Sequence, residues 1–192
     1  MSQAWIAGFY GKLPARGDFV RFALPRDFTD PWDAWLSDVI GETRRRAPDD
    51  WLAAFLEAPV WRFILPAGLC GARAALGLML PSVDRAGRYY PLTFAALCDS
   101  PGPAAGPSAD AWLDMCEAAG RDALQNDTSP DWIAAALAAP DLPATGEPVT
   151  ASEWWTEGAP RVPAGHFSSQ TFPSAAVYAE MLGIVLQPDK PG

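Results

Sequence analysis

The sequence predicts an α+β fold in which helices cover a mostly antiparallel or mixed sheet, and three observations carry that expectation. Residues 74–80 and 92–98 are apolar runs of strand length, separated by the turn-rich stretch Pro81-Ser82-Val83-Asp84-Arg85-Ala86-Gly87-Arg88; so short a connection makes them antiparallel neighbours. Trp32, Trp35, Leu36, Val39 and Ile40 repeat at helical spacing, which gives a helix with one strongly apolar face to lay on a sheet. The chain has 192 residues and is 49% hydrophobic, enough for one core, so a single domain over residues 1–187 is expected, with 188–192 as a fraying, Pro-rich tail.

The elements follow in order. Residues 5–10 are apolar and aromatic and stop at Gly11, a first strand; the stretch from there to Pro25 reads as loop. Asp30 followed by Pro31 is a cap followed by a proline suited to a first helical turn, so the helix of Trp32 to Ile40 is expected to begin there and to end near Arg44, Arg45 and Arg46, whose charges oppose the negative end of the helix dipole. Asp49 and Asp50 precede a short helix through Trp51, Leu52, Phe55 and Leu56 that Pro59 stops, and residues 60–65 read as a strand. After the two central runs, Ser108 caps a helix through Trp112, Leu113, Met115, Cys116 and Ala119. Ser129-Pro130 opens another, running to about Ala139. Beyond Pro140 irregular chain is expected, with a short strand at Trp154 and Trp155 and a helix after Ser174.

A formal charge of −9 opposes attraction to phosphate backbones and to anionic lipid surfaces. The amino terminus has neither a basic region nor an apolar core of the secretory type, and no run is long enough to span a bilayer. Cys70, Cys98 and Cys116 form no closely spaced pair and leave an odd thiol, which suits a reducing compartment; the expected location is the cytoplasm.

Chemistry is scarce. One histidine, His166, and three dispersed cysteines do not make a metal site, and no cofactor is expected. His166 near Ser168 and Ser169 has no Gly-x-Ser-x-Gly elbow to present a nucleophile. Gly11-Lys12 resembles the end of a phosphate loop, but Leu13 stands where Ser or Thr is required; this pair and Gly68 with Gly71 read as backbone corners that need positive φ. Arg16-Gly17-Asp18 spells an adhesion tripeptide that would need an extracellular setting, and a local role for Asp18 as acceptor of backbone N–H bonds fits better. Ser82, Asp84 and Arg88 could position a small substrate, but no base partners them in the sequence.

Gly8-Phe9-Tyr10-Gly11-Lys12-Leu13-Pro14, Gly17-Asp18-Phe19-Val20, Leu24-Pro25 and Trp32-Asp33-Ala34-Trp35-Leu36 resemble the opening signature of the TagF/ImpM family of type VI secretion-associated proteins. Trp61-Arg62-Phe63 with Gly68 and Gly71, then Pro81-Ser82-Val83-Asp84, Gly87-Arg88 and Pro91-Leu92, resemble its middle, and Trp154-Trp155 after Ser152 its third block. The resemblance implies a three-layer sandwich and no catalytic activity. It also implies post-translational repression of the secretion machine through binding to its cytoplasmic forkhead-associated scaffold, Fha. A structural or assembly subunit of the apparatus is the alternative.

On that reading the loops carry function. The candidate partner-binding residues are Lys12, Arg16, Asp18, Arg85 and Arg88, charged groups on Gly/Pro loops, with an internal Asp18–Arg88 ion pair as the competing structural role. Trp154 and Trp155 complete the set: adjacent residues on a strand point to opposite faces, so at most one faces the core and the other is free to anchor a partner, unless it packs under the carboxy-terminal segment.

Overall fold

The computed structural model describes residues 5–99, 102–104, 106–138 and 145–186. The elements run β1 (Ile6–Gly11), β2 (Val20–Phe22), α1 (Arg26–Arg46), α2 (Trp51–Leu56), β3 (Trp61–Leu65), β4 (Ala74–Leu80), β5 (Leu92–Cys98), α3 (Pro107–Asn126), α4 (Pro130–Leu137), β6 (Ser152–Thr156), β7 (Gly165–Ser169) and α5 (Ala175–Met181). The strands form one seven-stranded sheet in the order β2-β1-β5-β4-β3-β6-β7. Every pairing among them is antiparallel, which decides between the antiparallel and mixed alternatives.

Helices α1, α2 and α5 pack on one face, where Trp32, Leu36, Phe55 and Tyr178 meet Phe63, Ala75, Ala95 and Trp154. Helices α3 and α4 cover the other, where Trp112, Leu113, Cys116 and Ile133 meet Phe9, Leu76, Leu78 and Phe94. This is the expected three-layer sandwich. Because both faces are covered, the central strands β4 and β5 are buried at every position and read as near-continuous apolar runs, interrupted by Thr93, instead of alternating, which is why the sequence shows them so plainly.

Four local expectations need correction. Helix α1 begins at Arg26, not Pro31, with Pro25 and not Asp30 as its cap, so that Pro31 lies inside it. The amphipathic pattern extends back to buried Phe28, and a proline this close to the amino end removes only the bond to the Asp27 carbonyl. Helix α3 starts at Pro107 with Gly106 as cap, two residues ahead of the expected cap Ser108. The stretch read as loop before Pro25 contains β2, whose three residues are too few to show alternation. The carboxy-terminal third, expected to hold one strand, holds two: β7, Gly-His-Phe-Ser-Ser, has little strand propensity of its own and is held in register by β6. Residues 188–192, the expected tail, lie outside the described residues, as does Ala139.

Ser129 and Ser174 cap α4 and α5 as expected, accepting from the N–H groups of Trp132 and Val177. Arg44, Arg45 and Arg46 occupy the last turn of α1.

Candidate functional site

Two loops meet at the end of the sheet where β1 ends and β5 begins: residues 12–19, after β1, and residues 81–91, before β5. Their approach depends on Gly11, which takes a φ of 142° and lies so close to the other loop that a Cβ there would come within 2.1 Å of the Pro91 carbonyl oxygen. Gly68 and Gly71 also have positive φ, 92° and 88°, in agreement with their reading as corners.

The centre of the junction is Asp84. Its side chain has no exposed surface, and both oxygens are saturated. Oδ1 accepts from the backbone N–H groups of Ala86 and Arg88, each at 2.9 Å. Oδ2 accepts from Lys12 Nζ at 2.9 Å and Arg88 Nε at 2.7 Å. Burial pushes this carboxyl upward, but the Lys12 ammonium and the Arg88 N–H donors outweigh it and hold Asp84 well below the usual carboxylate range. The loops are laced further by Ser82 Oγ donating to the Lys12 carbonyl at 2.6 Å, the Arg85 N–H donating to the Arg16 carbonyl at 2.9 Å, and the Arg85 guanidinium donating to the Ala15 carbonyl at 2.8 Å. Arg88 also donates to the Gly17 carbonyl.

An aromatic plate flanks this lock. Phe19 stacks on Tyr10 with centroids 5.4 Å apart and meets Tyr90 edge-on at 4.8 Å, while Lys12 Nζ stands 5.0 Å from its ring centre. The hydroxyls of Tyr10 and Tyr90 both donate to Asp33 Oδ1 on α1, at 3.0 and 2.9 Å. Burial, reinforced by Asp33, raises both phenols above their ordinary range, so they remain donors. Phe22, on β2, stacks on Phe9 at 5.6 Å.

The structure thus brings Lys12, Arg16, Asp18, Arg85 and Arg88 together and gives them different jobs. Lys12 is buried inside the lock and offers no charge to the surface. Arg88 is exposed but bound to Asp84, so the ion pair proposed for it with Asp18 is not formed; Asp84 is nearer in sequence and already enclosed. Asp18 is exposed and accepts from the N–H of Phe19 at 2.8 Å. Arg16 is exposed, and its guanidinium has no hydrogen bond or ion pair among the described residues. The tryptophans lie elsewhere, on β6. Trp154 is fully buried among Trp32, Trp35, Phe63 and Phe167, which removes it as a partner contact. Trp155 points to the opposite face, as a strand requires, and is half-buried against the α3/α4 core. His166 lies beside Glu153 Oε2 at 3.0 Å on the exposed sheet edge.

Sequence reasoning missed Arg21, Phe19 and Phe22 as surface groups. Phe19 and Phe22 are 41% and 40% exposed, and the sequence alone reads such rings as core.

Residues 8–139 match the TagF N-terminal domain, described as type VI secretion system-associated. The chain belongs to the TagF N-terminal domain family. The crystal structure of PA0076 from Pseudomonas aeruginosa PAO1, at 2.05 Å resolution, is similar throughout: 32% identical, with a TM-score of 0.82 over 97% of this chain and 99% of that one. No curated protein matches the chain. Among the described residues no helix is long and apolar enough to cross a membrane, and no group of three or more His, Cys, Asp and Glu side chains could hold a metal ion.

Several glycines of the resemblance lie in the two loops and the strands beside them, while Gly68 and Gly71 lie between β3 and β4. Gly8 lies under the Phe22 carbonyl, Gly11 under that of Pro91, and Gly87 turns the second loop at a φ of 78°.

Proposed function

We propose that the chain is a non-catalytic, cytoplasmic accessory protein of the type VI secretion system that represses the machine post-translationally by binding its forkhead-associated scaffold, Fha. Family membership supports the secretion assignment. The observation that carries the binding role is the condition of the loop junction: its reactive-looking groups, Lys12, Ser82 and Asp84, are buried and bonded to one another, while Arg16, Asp18 and Phe19 stand outside on a rigid frame. Groups enclosed in this way are out of a substrate's reach, whereas a framework with exposed charge and rings suits recognition of another protein.

The test is calorimetric titration of the purified chain into the Fha scaffold from the same gene cluster, with Asp18→Lys alongside. A Kd of about 1 µM or tighter supports the reading, corresponding to about −8 kcal/mol. Lost binding by Asp18→Lys at an unchanged melting temperature puts Asp18 in the contact. Absence of association at concentrations well above that level sinks the repressor reading. Stoichiometric co-purification with the assembled apparatus would instead mark a structural subunit.

A further inference from the structure

We infer that the outer edge of β2, with Arg16, Arg21, Phe19 and Phe22, is a docking surface for an extended, acidic segment of a partner protein. The inference deepens the proposed function and rests on it only for which protein supplies the segment.

Four independent features converge on this edge. The first is position: β2 closes one end of the sheet, and among the described residues no strand pairs with its outer side. An open edge presents main-chain donors and acceptors to an incoming extended chain. The second is charge. The chain as a whole carries −9, yet from Lys12 to Arg26 it holds Lys12, Arg16, Arg21 and Arg26 against Asp18 alone. Lys12 is neutralised by Asp84, but the guanidiniums of Arg16 and Arg21 make no hydrogen bond or ion pair among the described residues. Of the acids that follow on α1, Asp33 is taken up by the two tyrosine hydroxyls, and Asp27 and Asp30 are exposed on the first turns of the helix, beyond the strand edge in sequence.

The third feature is the pair of exposed rings, Phe19 and Phe22. Each is stacked on a ring of β1, Tyr10 and Phe9 respectively, so little side-chain entropy is lost when a partner covers it. Exposed, preordered aromatic rings beside free arginines are the composition of an interface centre. The fourth is backbone shape. Ala23 takes a φ of 58°, and the Leu24 N–H donates to the Phe22 carbonyl at 2.7 Å, a tight turn that ends β2 abruptly. An open groove of about 540 Å³ runs beside residues 16–21 and is closed by Pro130.

The alternation of β2 specifies the occupant. Arg21 lies opposite Tyr10 on the α1 side and Phe22 opposite Phe9 on the α3/α4 side. An added strand therefore meets an arginine on one face and a phenylalanine on the other, and one that alternates carboxylate and apolar side chains satisfies both. A second copy of the chain does not: antiparallel pairing of two β2 edges about Arg21 sets like charges against each other.

The experiment is a backbone amide NMR titration of the full chain with two ligands. One is the Fha scaffold; the other is a ten-residue peptide alternating glutamate and valine, with a lysine-for-glutamate control. Expected are shifts confined to residues 15–24 and their β1 neighbours, weakening with salt, absent for the control, and an affinity reduced by about tenfold or more in Arg16→Glu/Arg21→Glu. Neither arginine holds the fold together, so that variant melts with the wild type; if it does not, Arg21→Ala at an unchanged melting temperature gives the same reading.

If the scaffold binds and perturbs other residues, the surface is overturned and the proposed function stands. Should the scaffold not bind, the proposed function fails and the peptide decides the surface: salt-dependent shifts at 15–24 support it, and none overturns it. Concentration-dependent dimerisation through the same residues also overturns it.

Discussion

Removing the charge of Asp84 tests whether the loop junction is a structural lock. In Asp84→Asn the side chain keeps its size, and one oxygen can still accept from the Ala86 and Arg88 N–H groups. The amide NH2 then replaces Oδ2, placing a donor against Lys12 Nζ and Arg88 Nε, where an acceptor had stood at 2.9 and 2.7 Å. The Lys12 side chain is only 7% exposed and cannot turn to water, so it becomes a buried, uncompensated cation. Breaking a buried pair in this way costs about 3–5 kcal/mol. The Arg88 contribution is small by comparison, because that side chain is 57% exposed and water replaces the lost partner. For a chain of this size the loss corresponds to roughly 6–20 °C in melting temperature. Urea unfolding followed by tryptophan fluorescence measures it. Lys12→Met should cost less, about 1–3 kcal/mol, since Asp84 keeps Arg88 and two backbone donors.

The pH dependence gives a second handle on the same group. The carboxyl of Asp84 titrates lower in the folded chain than in the unfolded one, so its contribution is fully present above the unfolded value, about 3.9, and disappears as pH falls below that through the folded value. The gap between wild type and Asp84→Asn should therefore be constant from pH 7 to about pH 5 and close in strong acid. An Asp84→Asn variant within about 1 kcal/mol of wild type at pH 7 would refute the reasoning, since that is the range of an exposed pair.

Further predictions concern other parts of the frame. Gly8→Ala places a Cβ 2.1 Å from the Phe22 carbonyl oxygen, so β2 must shift; a loss of about 1–3 kcal/mol or more is expected, together with altered amide shifts at residues 20–24. Trp154→Ala opens a cavity in the α1 face and should cost about 3–5 kcal/mol, whereas Trp155→Ala, half-buried on the other face, should cost about 1–2 kcal/mol in the same urea assay. Burial pushes the Cys70 thiol up to about 12 and that of Cys98 up to about 11, with Cys116 also well above its ordinary value. At pH 8 all three should resist iodoacetamide in the folded chain and react in urea, and stability should fall as pH rises past about 8.5, where unfolded thiols begin to lose their protons. Rapid native alkylation of any of them would contradict the burial described.

By itself the sequence determined the elements whose signals are local. The apolar runs of β4 and β5, the helical spacing from Trp32 to Ile40, and the caps Ser129 and Ser174 each depend on neighbours a few residues away. Family membership was legible too, because the glycines and prolines of its blocks mark backbone geometry that only those residues supply at low cost. The tertiary structure alone decided the rest. Strands β2 and β7 exist because β1 and β6 lend them hydrogen bonds, not because three residues or a Gly-His-Phe-Ser-Ser segment would extend alone. Burial of Lys12 with Asp84 joins positions 72 residues apart, and the bond from Arg88 to the same carboxylate leaves Asp18 without the arginine expected for it. Which rings are core and which are surface was likewise undecidable from composition: Trp154 and Phe22 are alike in hydrophobicity, and only the second lies on a strand at the end of the sheet. A side chain's role at this site is set by what the fold places against it, and that is a long-range property.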